Sequence, residues 1–262
     1  MKPLRPWSPA KESLLILVGC LAAPLPGKAA ERGGADTMIT AEVPELAFRN
    51  LNFESAVITP VAGDPYQRVV SQDALPGWTG QVGGETEDLA LFNNRFLDSA
   101  GIGVQGPGSL TPVVQGSYMA TLMAGLRLDG LEGAEWVDAS LLQTGRVPGD
   151  ARSLRFSASL SGAPGSSFEV SLGGQALALQ VLETSDTYQT YGADISLLAG
   201  EVSTLAFTVH PAPLLGSGYL ELDAIRFSPL PVPEPDTFWL GLMGTLVLLL
   251  RRALHLGRHH HA

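Results

Sequence analysis

One histidine, His210 beside Pro211, lies between residues 31 and 231, and it is the side chain there best suited to act as a base. Serine hydrolysis would ask it to serve a nucleophile on a sharp Gly-x-Ser-x-Gly turn, and the sequence contains no such turn. His210 therefore reads as a surface histidine. Carboxylates are abundant: the same stretch holds 23 Asp and Glu against nine Arg and no Lys, a charge of −14. Glycoside cleavage needs two carboxyl groups roughly 5–10 Å apart, and no spacing marks out one pair. A phosphate-cradling GxxxxGKS/T loop is missing, as is any lysine to complete one. The negative excess argues against nucleic acid as a partner, since that binding rests on neutralising phosphates. Glu85, Glu87 and Asp88 read as a solvated acidic loop.

The side chains left for chemistry are aromatic. Sugars stack on exposed rings flanked by polar partners. Trp136, in the polar run Glu135-Trp136-Val137-Asp138, is the first choice. Tyr188 and Tyr191 flank a loop and come next, and Tyr66 and Tyr118 are further candidates. Trp78 follows Gly77 in an alternating run and reads as core.

These residues must be positioned by a body whose two ends read differently from it. The chain has 262 residues, of which 45% are hydrophobic and 16% charged, enough apolar material for a core. All three lysines, Lys2, Lys11 and Lys28, precede residue 31. Lys2, Arg5 and Lys11 lead into a short apolar run at 14–21, and small residues follow at Gly27, Ala29 and Ala30. That pattern predicts a secretory signal peptide over 1–30. Residues 17–20 also resemble a bacterial lipobox, in which Cys20 would be lipidated; otherwise the mature protein has no cysteine and hence no disulfide. At the other end, Val232-Pro233-Glu234-Pro235 precedes an uninterrupted apolar run at 238–250, then Arg251-Arg252. This is a membrane stop: the run enters lipid and the arginines hold its far end in the cytoplasm. Its 13 residues are short for a span, and Ala253 and Leu254 with snorkelling arginines lengthen it. His259, His260 and His261 read as part of a discarded tail.

This order of motif, apolar helix and basic pair resembles the PEP-CTERM sorting signal of Gram-negative bacteria. The resemblance covers residues 232–252. It implies recognition of Val232, Pro233, Glu234 and Pro235 by an exosortase, with Arg251 and Arg252 as the basic cluster, and delivery to the cell surface or extracellular matrix. A plain, uncut anchor is the alternative.

Residues 31–45 are acidic and weakly patterned and read as a flexible leader. Over 46–228, Gly and Pro punctuate short alternating runs with no long helical period. Strands are expected at 47–58, 77–82, 88–92, 101–105, 115–128, 136–143, 153–160, 167–172, 176–182, 204–209 and 219–227. Gly173-Gly174 marks a hairpin, and a bulge is expected near Asp223. One helical turn is expected at 194–199, capped by Asp194, with Ile195, Leu197 and Leu198 facing inward. Residues 229–237 form a Pro-rich linker carrying the sorting motif, and 238–262 the membrane helix and basic tail. The expectation is an all-β, two-sheet antiparallel sandwich.

Four segments in order also resemble jelly-roll domains of galactose-binding-like and carbohydrate-binding-module type: Asn52-Phe53-Glu54-Ser55, Leu75-Pro76-Gly77-Trp78-Thr79, residues 194–209 and residues 220–227. The resemblance implies a structural Ca²⁺ held by Glu54 and Asp223. The second acid that often follows the Asp in that family is Ala224 here. The functional expectation is a secreted, non-enzymatic protein associating with extracellular polysaccharide. A glycoside hydrolase or lyase using a carboxylate pair and a purely structural protein are the alternatives.

Overall fold

Runs in which apolar side chains alternate with polar or small ones become strands, because successive side chains of an extended chain point to opposite faces. In the computed structural model, which describes residues 46–128, 133–213 and 216–233, fifteen strands follow one another. They are β1 (Arg68–Val70), β2 (Thr79–Val82), β3 (Glu85–Thr86), β4 (Leu89–Phe92) and β5 (Gly101–Gln105). Next come β6 (Met119–Leu128), β7 (Ala134–Val137), β8 (Ala139–Arg146), β9 (Ser153–Gly162) and β10 (Ser167–Leu172). The last are β11 (Gln175–Ala176), β12 (Gln180–Thr184), β13 (Gln189–Asp194), β14 (Val202–His210) and β15 (Gly218–Ser228). A short helix, α1 (Ser71–Ala74), follows β1.

The strands form two sheets. The first has the order β1-β4-β5-β6-β15-β9-β13-β12, with β7 also on β6; the second is β11-β10-β14-β8-β2-β3. The pairing is nested: β6 joins β15, β8 joins β14, and β10 joins β11. All ladders among these strands are antiparallel except β4 with β5, which are parallel. This corrects the wholly antiparallel expectation. Residues 93–100 do not turn back directly but cross the outer face of the first sheet, where the Tyr219 hydroxyl donates to the Phe96 carbonyl at 3.3 Å.

The two sheets share one core. Phe156 of β9 meets Phe207 of β14 edge-on, ring centres 5.1 Å apart. Trp78 packs on Phe207 at 6.3 Å and on Phe53 at 5.8 Å, and its indole N–H donates to the Asn50 carbonyl at 3.0 Å. A buried Trp thus keeps its one polar atom paired. Gly173 and Gly174 both take positive φ (61° and 77°), the requirement of a tight hairpin turn between β10 and β11.

Three further expectations are revised. Residues 47–58 are not a strand: Asn50 and Phe53 adopt left-handed backbone (φ 49° and 57°), and the Asn50 side chain accepts the Ser55 N–H, so the chain coils. The turn at 194–199 is a 3₁₀ turn, Ser196–Leu198, whose first N–H is accepted by Asp194. Ile195 is buried, but Leu197 is 96% exposed. Short strands β1, β3 and β13 were not expected, and the expected 136–143 divides into β7 and β8.

Strand directions give the sandwich two ends. β15 runs from Gly218, opposite Gly162 and Ala124, to Ser228, opposite Ser153. The end near Ser228 also carries the 147–152 loop, the 196–201 turn and the described start of the chain, where Ala47 bridges Arg146. Beyond β15 the chain is held to the first sheet: Ser153 donates to the Leu230 carbonyl at 2.7 Å and Arg155 to that of Pro231 at 3.1 Å. Among the described residues no helix is long and apolar enough to cross a membrane. Residues 1–45, Glu234, Pro235, Arg251 and Arg252 lie outside those described.

Phe207 makes the contact that joins the sheets, so Phe207→Ala should lose about 3–5 kcal/mol in urea unfolding. A loss under about 1 kcal/mol would show that the two layers do not depend on it.

Candidate functional site

A turn with an internal ion pair builds one wall of a surface hollow. Asp64 accepts the Tyr66 N–H at 2.9 Å and the Arg68 Nε–H at 2.7 Å. The first bond is an Asx turn, which sets Tyr66 on the surface. The guanidinium holds the Asp64 carboxyl below its usual range. Arg68 also lies over the Tyr66 ring, 5.7 Å from its centre, and Phe96 meets that ring edge-on at 5.6 Å. Tyr66 is therefore fixed on two sides, yet half its surface stays open (50%).

The hollow beside it is a cleft of about 570 Å³ at the end of the sandwich where β15 begins. Tyr66, Phe96, Leu126, Arg68, Arg127 and Glu87 are among the lining residues. Both apolar and polar side chains line it. Arg127 is itself positioned by a bond to the Val82 carbonyl at 3.0 Å. Glu87 is half-buried and faces this cleft, whereas the sequence suggested only a solvated acidic loop.

A second arrangement lies farther along β15. Asp223 is fully buried. Its two oxygens accept the N–H groups of Ala224 at 2.6 Å and Gln115 at 2.8 Å. Glu54 accepts the N–H groups of Ser117 at 2.8 Å and Tyr118 at 3.0 Å, both on one oxygen. Residues 115–118 thus pass between the two carboxylates. Gly116 makes this possible: its φ is +66°, and a Cβ there would collide with the Glu54 carboxylate. Burial, with the Glu54 charge as a smaller contribution, pushes the Asp223 carboxyl up to about 6; the two N–H donors pull the other way.

Two hard oxygen donors of like charge, one of them buried, suit a calcium ion, which would relieve their repulsion. The described residues hold no cluster of three or more His, Cys, Asp or Glu. An ion here would take its remaining ligands from backbone carbonyls and water.

The structure separates the aromatic candidates. Trp136 is half-buried on β7, directly opposite Leu126, which lines the cleft. Tyr188 and Tyr191 lie at the other edge of the first sheet. The Ser185 hydroxyl accepts the Tyr188 N–H at 3.0 Å, which closes the turn between β12 and β13. Tyr191 stacks on Phe156 at 5.3 Å, and burial raises its hydroxyl. Tyr118 packs partly against the core. His210 pairs with Asp138 at 3.0 Å on the second sheet.

Sequence reasoning did not pick out Arg68, Phe96 or Arg127. The first had a signal: Asp64 and Arg68 straddle Pro65-Tyr66 at the spacing of a local ion pair. Phe96 and Arg127 had none, because only the crossing of residues 93–100 and the β6–β7 pair bring them to Tyr66.

The Asp223 carboxyl predicts a pH dependence. Its native value near 6 lies above the ordinary carboxyl value of 3.8, so the folded protein keeps the proton longer. Its contribution to stability is full below about pH 4 and is lost as pH rises through 6, on the order of 2–3 kcal/mol. Urea unfolding with chelator present should show this loss for the native chain. Asp223→Asn should remove it; an unchanged profile in that variant would put the effect elsewhere.

No family model matches the chain, and no curated protein matches it. Among solved structures, the enzymatically active domain of tailspike protein 4 from bacteriophage CBA120 aligns with 58% of this chain at 11% identity and a TM-score of 0.33. The chain spans about a fifth of that structure's length, with 19% covered.

Proposed function

We propose that the chain is an exported surface or matrix protein whose sandwich associates with extracellular polysaccharide and does not cleave it. One observation carries this reading: the cleft opens at the end of the sandwich opposite the one where the chain leaves toward residues 232–235. A module tethered at one end presents its binding surface at the other.

The remaining parts have separate supports. Sorting by an exosortase rests on Val232-Pro233-Glu234-Pro235, the apolar run and Arg251-Arg252. On this reading the helix holds the protein in the inner membrane until the tail is removed. The nested strand order supports a jelly roll. Tyr66 is the ring on which a sugar stacks, with Trp136 one strand away and Arg68, Arg127 and Glu87 as polar partners. Binding is preferred to cleavage because, among the described residues, Glu87 is the one carboxylate in the cleft lining, while glycoside hydrolysis needs two. Glu54 and Asp223 lie elsewhere, and Asp223 is closed to a substrate. Their role is to hold a structural calcium that ties the first coil to the last strand.

Three measurements test this. Titration against matrix polysaccharides should show saturable binding that Tyr66→Ala weakens about tenfold. Flat titrations across a broad panel would refute the binding half, and release of reducing ends the non-cleaving half. Calcium at about 1 mM, the range of weak extracellular sites, should raise the melting temperature of the native chain but not of Asp223→Asn. An intact mass from the native host should show a chain ending within residues 233–236; retention of 238–250 would defeat the sorting reading.

A further inference from the structure

The described residues carry a strong charge asymmetry. At the end where the chain exits stand Arg146, Arg152, Arg155 and Arg226, against Asp150, Asp194 and Glu201. The rest of the described residues hold four arginines and fourteen carboxylates. Among the described residues, the exit end is the part where arginines outnumber carboxylates; Glu45, Glu234 and Asp236, adjacent in sequence, lie outside them.

The same end exposes large apolar side chains. Leu197, 96% exposed, tips the 3₁₀ turn, and Leu230, 62% exposed, lies on the outgoing segment. Leu46 and Val202 flank Arg146, to which both are joined through the backbone. A shallow hollow of about 420 Å³ separates the turn from the outgoing chain, with Arg152 in its lining. Ile195 and Leu154 are buried in the core, whereas Leu197 and Leu230 are not part of it.

The length of chain beyond the structure says what faces this end. Five residue steps separate Pro233 from Phe238, where the apolar run begins. They span at most about 18 Å. A run seated in a bilayer therefore keeps the exit end within that distance of the headgroups. Among the described residues, fourteen carboxylates on the remainder of the body are repelled by an anionic surface, whereas the arginines of the exit end are attracted to it.

We propose that the exit end of the sandwich, with Leu197 and Leu230 as apolar tips and Arg146, Arg152 and Arg226 around them, is a docking surface for the bilayer that holds the C-terminal run. The leucines enter the headgroup boundary and the arginines meet lipid phosphate. The sandwich then stands upright on the membrane, and the Tyr66 cleft points away from it. The inference rests on the tethered reading of residues 238–250.

The test uses the full-length chain with Cys20→Ser, reconstituted into vesicles of phosphatidylethanolamine and phosphatidylglycerol. Nitroxide labels are placed at Leu197→Cys, Leu230→Cys and, as a distal control, Tyr66→Cys. Vesicle flotation and the ratio of oxygen to nickel-complex accessibility are then read. The expected result is co-flotation, with a ratio several-fold higher at 197 and 230 than at 66. Co-flotation with equal ratios at all three positions would overturn the docking surface and leave the tether standing. Failure to float would overturn the tether and the docking surface with it.

Discussion

The last strand has to fit between two strands laid down long before it, and the rest of the structure depends on that fit. β15 pairs on one side with β6 and on the other with β9. Without it the first sheet divides in two and neither half closes over the core. The insertion is not regular. The ladder to β9 shifts between Asp223 and Arg226, and Ala224 takes a left-handed φ of 53°. An alanine there costs on the order of 1 kcal/mol. The bulge offsets this by turning the Ile225 N–H toward the Leu51 carbonyl, 3.0 Å away. First coil and last strand are thereby joined, and the buried Asp223 carboxylate secures the 115–118 segment at the same point. Such a closure joins residues far apart in sequence, and its loop entropy is met only when nearly all of the domain is in place.

The outer face of the first sheet follows from the same strand. Glu221, next in line on that face, pairs with Arg95, and Arg95 lies over the Tyr219 ring at 5.9 Å. Arg95 also donates to Thr111 at 2.9 Å. Residues 93–118 are thus fastened to β15 at Tyr219, Glu221 and Asp223 in turn. The fastening at Tyr219 sets the chain beside Phe96 at the cleft, and the one at Asp223 sets the loop against Glu54. One strand therefore positions both the ring wall and the carboxylate pair, from opposite ends of a single covering segment.

How much of this was legible in the sequence depends on range. Alternation in 153–160, 167–172 and 204–209 gave strands close to their observed bounds, because a two-residue period needs only local sterics and one buried face. Gly173-Gly174 gave its turn for the same reason. The 47–58 run misled: Phe53 is completely buried and Phe48, Leu51 and Ile58 pack against the core while Val57 stays exposed, all from a coil set by Asn50. Leu197 misled in the opposite sense. A helical turn would bury it, yet a 3₁₀ turn rotates it outward, and no sequence signal separates the two over three residues. Tyr191 and Tyr188 look alike as loop-flanking aromatics. One is stacked on Phe156 because strand parity puts position 191 on the inner face of β13. The cleft needed three segments at once, and only tertiary structure supplies that.

A buried acid with a raised carboxyl is often taken as a mark of catalysis, and here the surroundings argue otherwise. A general acid must reach a substrate atom and exchange its proton with it. Asp223 is covered on all sides, both its oxygens hold backbone N–H groups, and its like-charged neighbour Glu54 is held in the same way by the other end of a four-residue segment. Each carboxylate thus fixes main chain. The repulsion between them is a cost of joining the two ends of the domain at one place. At the far end of β15, Tyr66 is open and Arg68 and Arg127 are held from behind. The carboxylate pair and the Tyr66 cleft are therefore separated along one strand.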